Sequence, residues 1–292
     1  MSTSAPSDPS QLPLSGLPAP LYAASPSRLL TWLDCPRRYR MVYLDRPRPT
    51  QRTQRAHTSV GLAVHNALRD WWDLPGDRRD AAGAAELVRS GWIDVGFRDP
   101  DQSRRWRRRS QEAVAAYVED LDPQTQPRGI ERTVSMVTGP LRLTGRVDRL
   151  DDRDGELVVV DYKTNRRPPT DDDARFSLPL ALYAAAVWKM FRRATLRVEL
   201  HHVPTGSVAV HVHTPESLQR KVAHAQSIAV DARAADADFA LVGVESRMFP
   251  ANPGPLCGWC DVRSHCAIGQ AAAPEQPDWA GLDEPAPTTG ED

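Results

Sequence analysis

Lysine is scarce in this chain. Only Lys163, Lys189 and Lys221 occur among 292 residues, whereas arginine is abundant. With a formal net charge of −1, the protein is not a generally basic polymer binder, and any basic surface must be local and built from arginine. No uninterrupted apolar run approaches the roughly 18 residues of a membrane span, so no membrane partner is expected. Residues 1–20 hold no Lys or Arg and no continuous apolar stretch, which argues against a secretory signal and predicts a cytoplasmic protein. A G-x-x-x-x-G-K-[ST] loop is missing, so no ATP motor is encoded here. No internal repeat occurs. An apolar content of 40 % is enough to build a core and excludes global disorder.

The ends differ from the middle. Residues 1–24 and 269–292 are rich in Pro and Ser or in Pro, Ala and acid, and both are expected as disordered tails. Between them, 25–268 reads as one domain. Ser25-Pro26 signals a helix start, and Pro36 ends that helix at Cys35, with a second short helix after it. Apolar residues at helical spacing in 57–73, followed by stretches at 80–97 and 101–121, predict a helical block over 57–125. Strand-like segments follow at 130–137, 141–150 and 156–162, then a helix at 177–192, strands at 195–203 and 207–213, and a helix at 214–238. This order predicts an α/β fold with a mixed sheet.

The segment GELVVVDYKTN, residues 155–165, is an apolar strand that ends in charge. Alternation places Leu157, Val159, Asp161 and Lys163 on one face. Alone, Asp161 and Lys163 read as an ordinary salt bridge. The preceding strand contains GRVDRL, so strand pairing brings Asp148 near Asp161. Two close carboxylates are costly without a cation between them, and Mg²⁺ or Mn²⁺ suits oxygen ligands. Lys163 would then offset phosphate charge or act on an attacking water. That a chain so poor in lysine places one here argues that arginine would not serve.

These residues resemble the core of the PD-(D/E)XK nuclease superfamily, in its RecB-like exonuclease branch. The resemblance implies a restriction-endonuclease-like αβββαβ core with a helical insertion, and maps the catalytic set onto Asp148, Asp161 and Lys163. It also implies that His65, in GLAVHNALRDWW, is a further metal ligand, with Gly61 one turn earlier leaving space beside it. The helix after the lysine strand often carries a Gln four residues before a Tyr in this branch. Here Tyr183 is present as possible support for the site, but the earlier position is Pro179. Glu131 is a weaker acidic candidate, expected on the surface.

All four cysteines form one pattern, Cys35 and then C-x₂-C-x₅-C at Cys257, Cys260 and Cys266. Four thiols in a cytoplasmic chain indicate a metal site, and spacing alone leaves structural Zn²⁺ and an iron–sulfur cluster open. The arrangement is similar to iron–sulfur-stapled members of the branch, the AddB nuclease domain and CRISPR-associated four-cysteine nucleases. That resemblance implies a [4Fe–4S] cluster joining Cys35 to segment 257–266. Arg37, Arg38, Arg40, Arg166 and Arg167 are expected to contact DNA phosphates, and Trp106 in RRWRRR is a candidate stacking platform. The expectation is a DNA nuclease acting on single strands or ends, with any helicase or repair partner separate. The alternative is an iron–sulfur subunit that binds DNA without cutting it.

Overall fold

Local sequence signals start most elements of the computed structural model, which describes residues 21–282. A short strand β1 (Tyr22–Ala24) leads to α1 (Pro26–Asp34), capped by the Ser25 hydroxyl on the Arg28 N–H. Pro36 cannot continue that helix, so Cys35 ends α1 and begins α2 (Pro36–Tyr43). The helical block is α3 (Ala56–Trp71), α4 (Ala81–Ser90) and α5 (Pro100–Glu119), the last two capped by Asp80 and Asp99. The strands β2 (Gly129–Thr138), β3 (Leu141–Arg153) and β4 (Glu156–Lys163) follow. Next come α6 (Asp171–Phe176), α7 (Leu178–Phe191), β5 (Arg197–His202), β6 (Ser207–Val212), α8 (Pro215–Val242) and the short α9 (Ala267–Ala272). Among the described residues no helix is long and apolar enough to cross a membrane.

The six strands form one mixed sheet, as expected for the fold class. β3 organises it. On one edge it pairs with β2 along Leu141–Leu150; on the other it pairs with β1 at Leu141–Leu143 and with β4 from Arg149 onward. Residues 144–148 on that second edge are therefore flanked by strands but not paired to one. β4 runs parallel to β5, and β6 closes the far side antiparallel to β5.

Alternation along β4 divides two cores. Leu157 and Val159 pack with α1, α7 and α8, while Val158, Val160 and Tyr162 pack with α3, α4 and α5. The strand is covered on both faces, which explains why its run from Leu157 to Val160 is continuously apolar. Each such aliphatic side chain contributes about 1.5–3 kcal/mol by burial, enough to fix the strand register.

Both tail boundaries are corrected. Tyr22 is buried, its hydroxyl 2.6 Å from that of Tyr39, because β1 extends the sheet. At the other end, 269–282 folds back over the start of α3. Arg52 pairs with Glu275 and Asp278 at 2.8 and 2.7 Å, and Leu282 packs on Ala56 and Val60. Residues 1–20 and 283–292, the rest of the expected tails, lie outside the described residues. Helix α6 falls where the sequence suggests a loop, although Thr170 and Asp173 form a capping box that marks its start.

Candidate active site

The unpaired edge of β3 is where the charged residues gather. The β3–β4 ladder begins at Arg149↔Val160, so the Tyr162 N–H has no β3 carbonyl to meet. The Asp148 carboxylate takes it instead, at 2.8 Å. One side chain thus caps the strand and points into the opening. His65 reaches the same oxygen from α3, its Nδ1 at 3.4 Å, with its ring edge-on to Tyr162 at 5.8 Å. Asp161 and Lys163 project from β4, paired with each other. Lys163 remains 40 % exposed, open to a ligand from solvent.

Charge is poorly balanced here. Burial raises the Asp161 carboxyl above its ordinary range; the Lys163 ammonium opposes this and the Asp148 charge adds to it. His65 lies above its usual value: burial disfavours the imidazolium, but its bond to Asp148 and the charges of Asp148, Asp161 and Glu131 outweigh that. The buried Asp161 Oδ2 has the Lys163 ammonium as its partner. The ligand atoms of His65, Glu131 and Asp148 lie within 4.8 Å of one another. A hard divalent ion fits this set of carboxylates and one imidazole.

Glu131 corrects the reading of that residue as a surface acid. Its side chain is 18 % exposed and bonded to Arg146 at 2.7 Å. Burial first, and the nearby Asp148 charge second, raise its carboxyl.

Tyr183 arrives from α7 and lies against Gly145, where a Cβ would stand 2.5 Å from the ring. Burial and the charges of Asp161 and Asp148 push its hydroxyl up to about 12. Pro179 occupies the first turn of α7, a position proline favours, and Ser177 caps that helix. Gly61 is less demanding than expected: a Cβ there would meet only Thr164 Oγ1, at 3.4 Å.

Sequence reasoning also missed the polar network behind the site. Arg149, 2 % exposed, donates to the Tyr117 and Tyr162 hydroxyls, each at 3.2 Å. The Tyr117 hydroxyl meets His201 Nδ1 at 2.7 Å, and His201 Nε2 meets Glu199 at 2.8 Å. Tyr162 therefore touches His65 on one side and this network on the other.

The four cysteines line one cavity of about 470 Å³, between the α1–α2 break and segment 257–266. No three of their sulfurs lie mutually within 4.8 Å. A tetrahedral zinc, with Zn–S near 2.3 Å, would draw sulfurs to roughly 3.8 Å.

The arginines divide. Arg38 is bidentate to Asp261 at 2.8 and 3.2 Å, and Arg40 pairs with Asp45 at 3.1 Å and reaches the Val244 carbonyl. Both tie α2 to later parts of the chain. Arg37 lines the cysteine cavity. Arg166 and Arg167 are exposed just beyond Lys163. Trp106 is also corrected as a stacking platform: it is half-buried against Ala56, Val60 and Leu282, with Arg109 over its ring at 5.3 Å.

Comparison with known proteins gives a family and a fold. Residues 23–267 match the family model of the PD-(D/E)XK nuclease superfamily. A crystal structure from Eubacterium rectale, described as a "putative exonuclease", superposes with a TM-score of 0.50 at 12 % identity, covering 84 % of this chain and 88 % of that one. At that identity the likeness speaks for the fold. No curated protein sequence matches the chain.

Proposed function

Because the chain belongs to the PD-(D/E)XK nuclease superfamily, with 23–267 spanning the match, we propose that it is a divalent-metal-dependent DNA nuclease, an exonuclease on single strands or DNA ends serving repair or recombination. The observation that carries this reading is the opening beside β3, where the His65 and Asp148 ligand atoms lie together and the Asp161–Lys163 pair projects from the neighbouring strand. Mg²⁺ or Mn²⁺ would supply Lewis-acid polarisation of the scissile phosphate and a more acidic water. His65, Asp148 and Asp161 would hold it. Lys163, half-exposed beside Asp161, orients the attacking water and offsets charge on the phosphate. Tyr183 screens the floor of the site, and Arg166 and Arg167 meet the backbone beyond it.

The four cysteines line one cavity, as a [4Fe–4S] cluster bound by all four would require, with structural Zn²⁺ as the alternative. Its role is to staple the chain, not to carry electrons. The absence of a phosphate-binding loop from the sequence implies that processive action draws on a separate helicase or repair subunit.

The test uses anaerobically purified protein with Mn²⁺ and matched linear and circular single-stranded DNA. Cleavage of the linear form alone, as a ladder from one end, is the expected result. Cutting of the circle would replace the exonuclease reading with an endonuclease. Binding to both without cutting would favour the non-cleaving subunit.

A further inference from the structure

Glu131 sits in β2 with its backbone in the left-handed region, at φ 46°. A glutamate inside a strand adopts this conformation only where its surroundings impose it, because the side chain clashes with its own backbone. The register shows what is gained. Ile130 pairs with Arg149 and Arg132 with Val147, so Glu131 stands opposite Asp148. Two carboxylates directly across a strand pair repel each other. Yet Glu131 is turned toward Asp148 and His65, with ligand atoms of all three within 4.8 Å.

The ordinary explanation is that Glu131 serves Arg146. It does not account for the geometry. Arg146 is 67 % exposed, and an ion pair to so exposed a guanidinium contributes little. It offsets neither the backbone strain nor the repulsion from Asp148. An arginine on the same surface could be paired by an unstrained acid. A cation between Glu131 and Asp148 removes the repulsion and uses the strain.

We propose that Glu131 is a further ligand of the divalent cation, with Arg146 as the counter-charge that the cation displaces. This rests on the nuclease reading of the site and adds a ligand from β2 to the set on α3, β3 and β4. Arg146 is one position beyond Gly145 and exposed. Once freed, it faces solvent where a DNA phosphate would approach, so metal and substrate would favour each other's binding.

The experiment is a calorimetric titration of the full chain with Mn²⁺ alone, without DNA. Wild type is compared with Glu131→Gln, Glu131→Gly, Arg146→Gln and Asp148→Asn. Asp148→Asn is expected to abolish binding. Glu131→Gln should weaken it about tenfold or more, the scale for losing a group that supports a metal site. Arg146→Gln should tighten it, since the competing guanidinium is gone. Glycine accepts a positive φ, so Glu131→Gly should keep or raise the melting temperature while losing Mn²⁺ affinity as Glu131→Gln does. Wild-type affinity in both Glu131 variants, with binding lost in Asp148→Asn, would overturn the assignment of Glu131 and leave the nuclease reading standing. Wild-type affinity in all of them would overturn both.

Discussion

Asp148 performs two tasks with one carboxylate: it caps the Tyr162 N–H at the end of the β3–β4 ladder and faces His65. Asp148→Asn preserves shape and can still accept that N–H, so it should abolish cleavage while costing less than ~2 kcal/mol of stability by urea titration. A loss of folding of similar size to the loss of activity would mark Asp148 as structural. Gly145 is the other demanding position. A methyl group there would stand 2.5 Å from the Tyr183 ring, so Gly145→Ala should destabilise by ~1–3 kcal/mol and impair cleavage by moving the ring. Unchanged stability would show that Tyr183 shifts freely. At this scale, Asp161 and Lys163 were legible because alternation forces them to one face of β4. Glu131 was legible only as a weaker candidate, because its position depends on a backbone conformation and a cross-strand partner that no local pattern encodes.

Among elements, β5, backbone-paired to β4 and β6, is also tied to β3 by an ion pair and to α5 by a side-chain hydrogen bond. Glu199, 1 % exposed, bonds to Arg153 at 2.8 Å, Arg197 at 2.6 Å and His201 at 2.8 Å. Burial works against its charge, but the bonds from His201, Arg153 and Arg197 outweigh it and hold the carboxyl well below the usual range. Burial lowers the His201 value despite Glu199, so the ring is neutral, donating from Nε2 to Glu199 and accepting the Tyr117 proton at Nδ1. Both folded values lie below the unfolded ones. Their stabilisation is therefore complete above the unfolded pKa and is lost on acidification, first below about 6.5 for His201 and then below about 4.3 for Glu199. Urea titrations between pH 7 and 4 should show falling stability. Glu199→Gln should cost ~3 kcal/mol at pH 7 and flatten the lower part of that dependence; an unchanged slope would remove Glu199 as its source. The order of helices and strands was readable from period and caps. The α5–β5 link was not, since Tyr117 and His201 are distant in sequence and each reads alone as an ordinary core residue.

Across the whole molecule, the cysteine cavity joins the break between α1 and α2 to the segment after α8, closing nearly the entire described chain. A group bound there couples its assembly to folding. Cys35→Ser should therefore remove absorbance near roughly 400 nm from anaerobically purified protein and lower the melting temperature by more than ~5 °C. A colourless wild type holding zinc would contradict the cluster. The mixed sheet was legible because a continuously apolar strand flanked by helices must be covered on both faces. The return of 269–282 was not, because its Pro- and acid-rich composition looks like tail until Arg52 and Arg55 are seen to hold it. The claim that governs the rest is that the opening beside β3 cuts DNA, and one assay reads it directly: end-labelled single-stranded DNA with Mn²⁺, wild type beside Lys163→Ala. The account predicts cleavage by wild type, stopped by chelation, and at least ~100-fold less by the variant with DNA binding retained. Equal cleavage by the two proteins would contradict it.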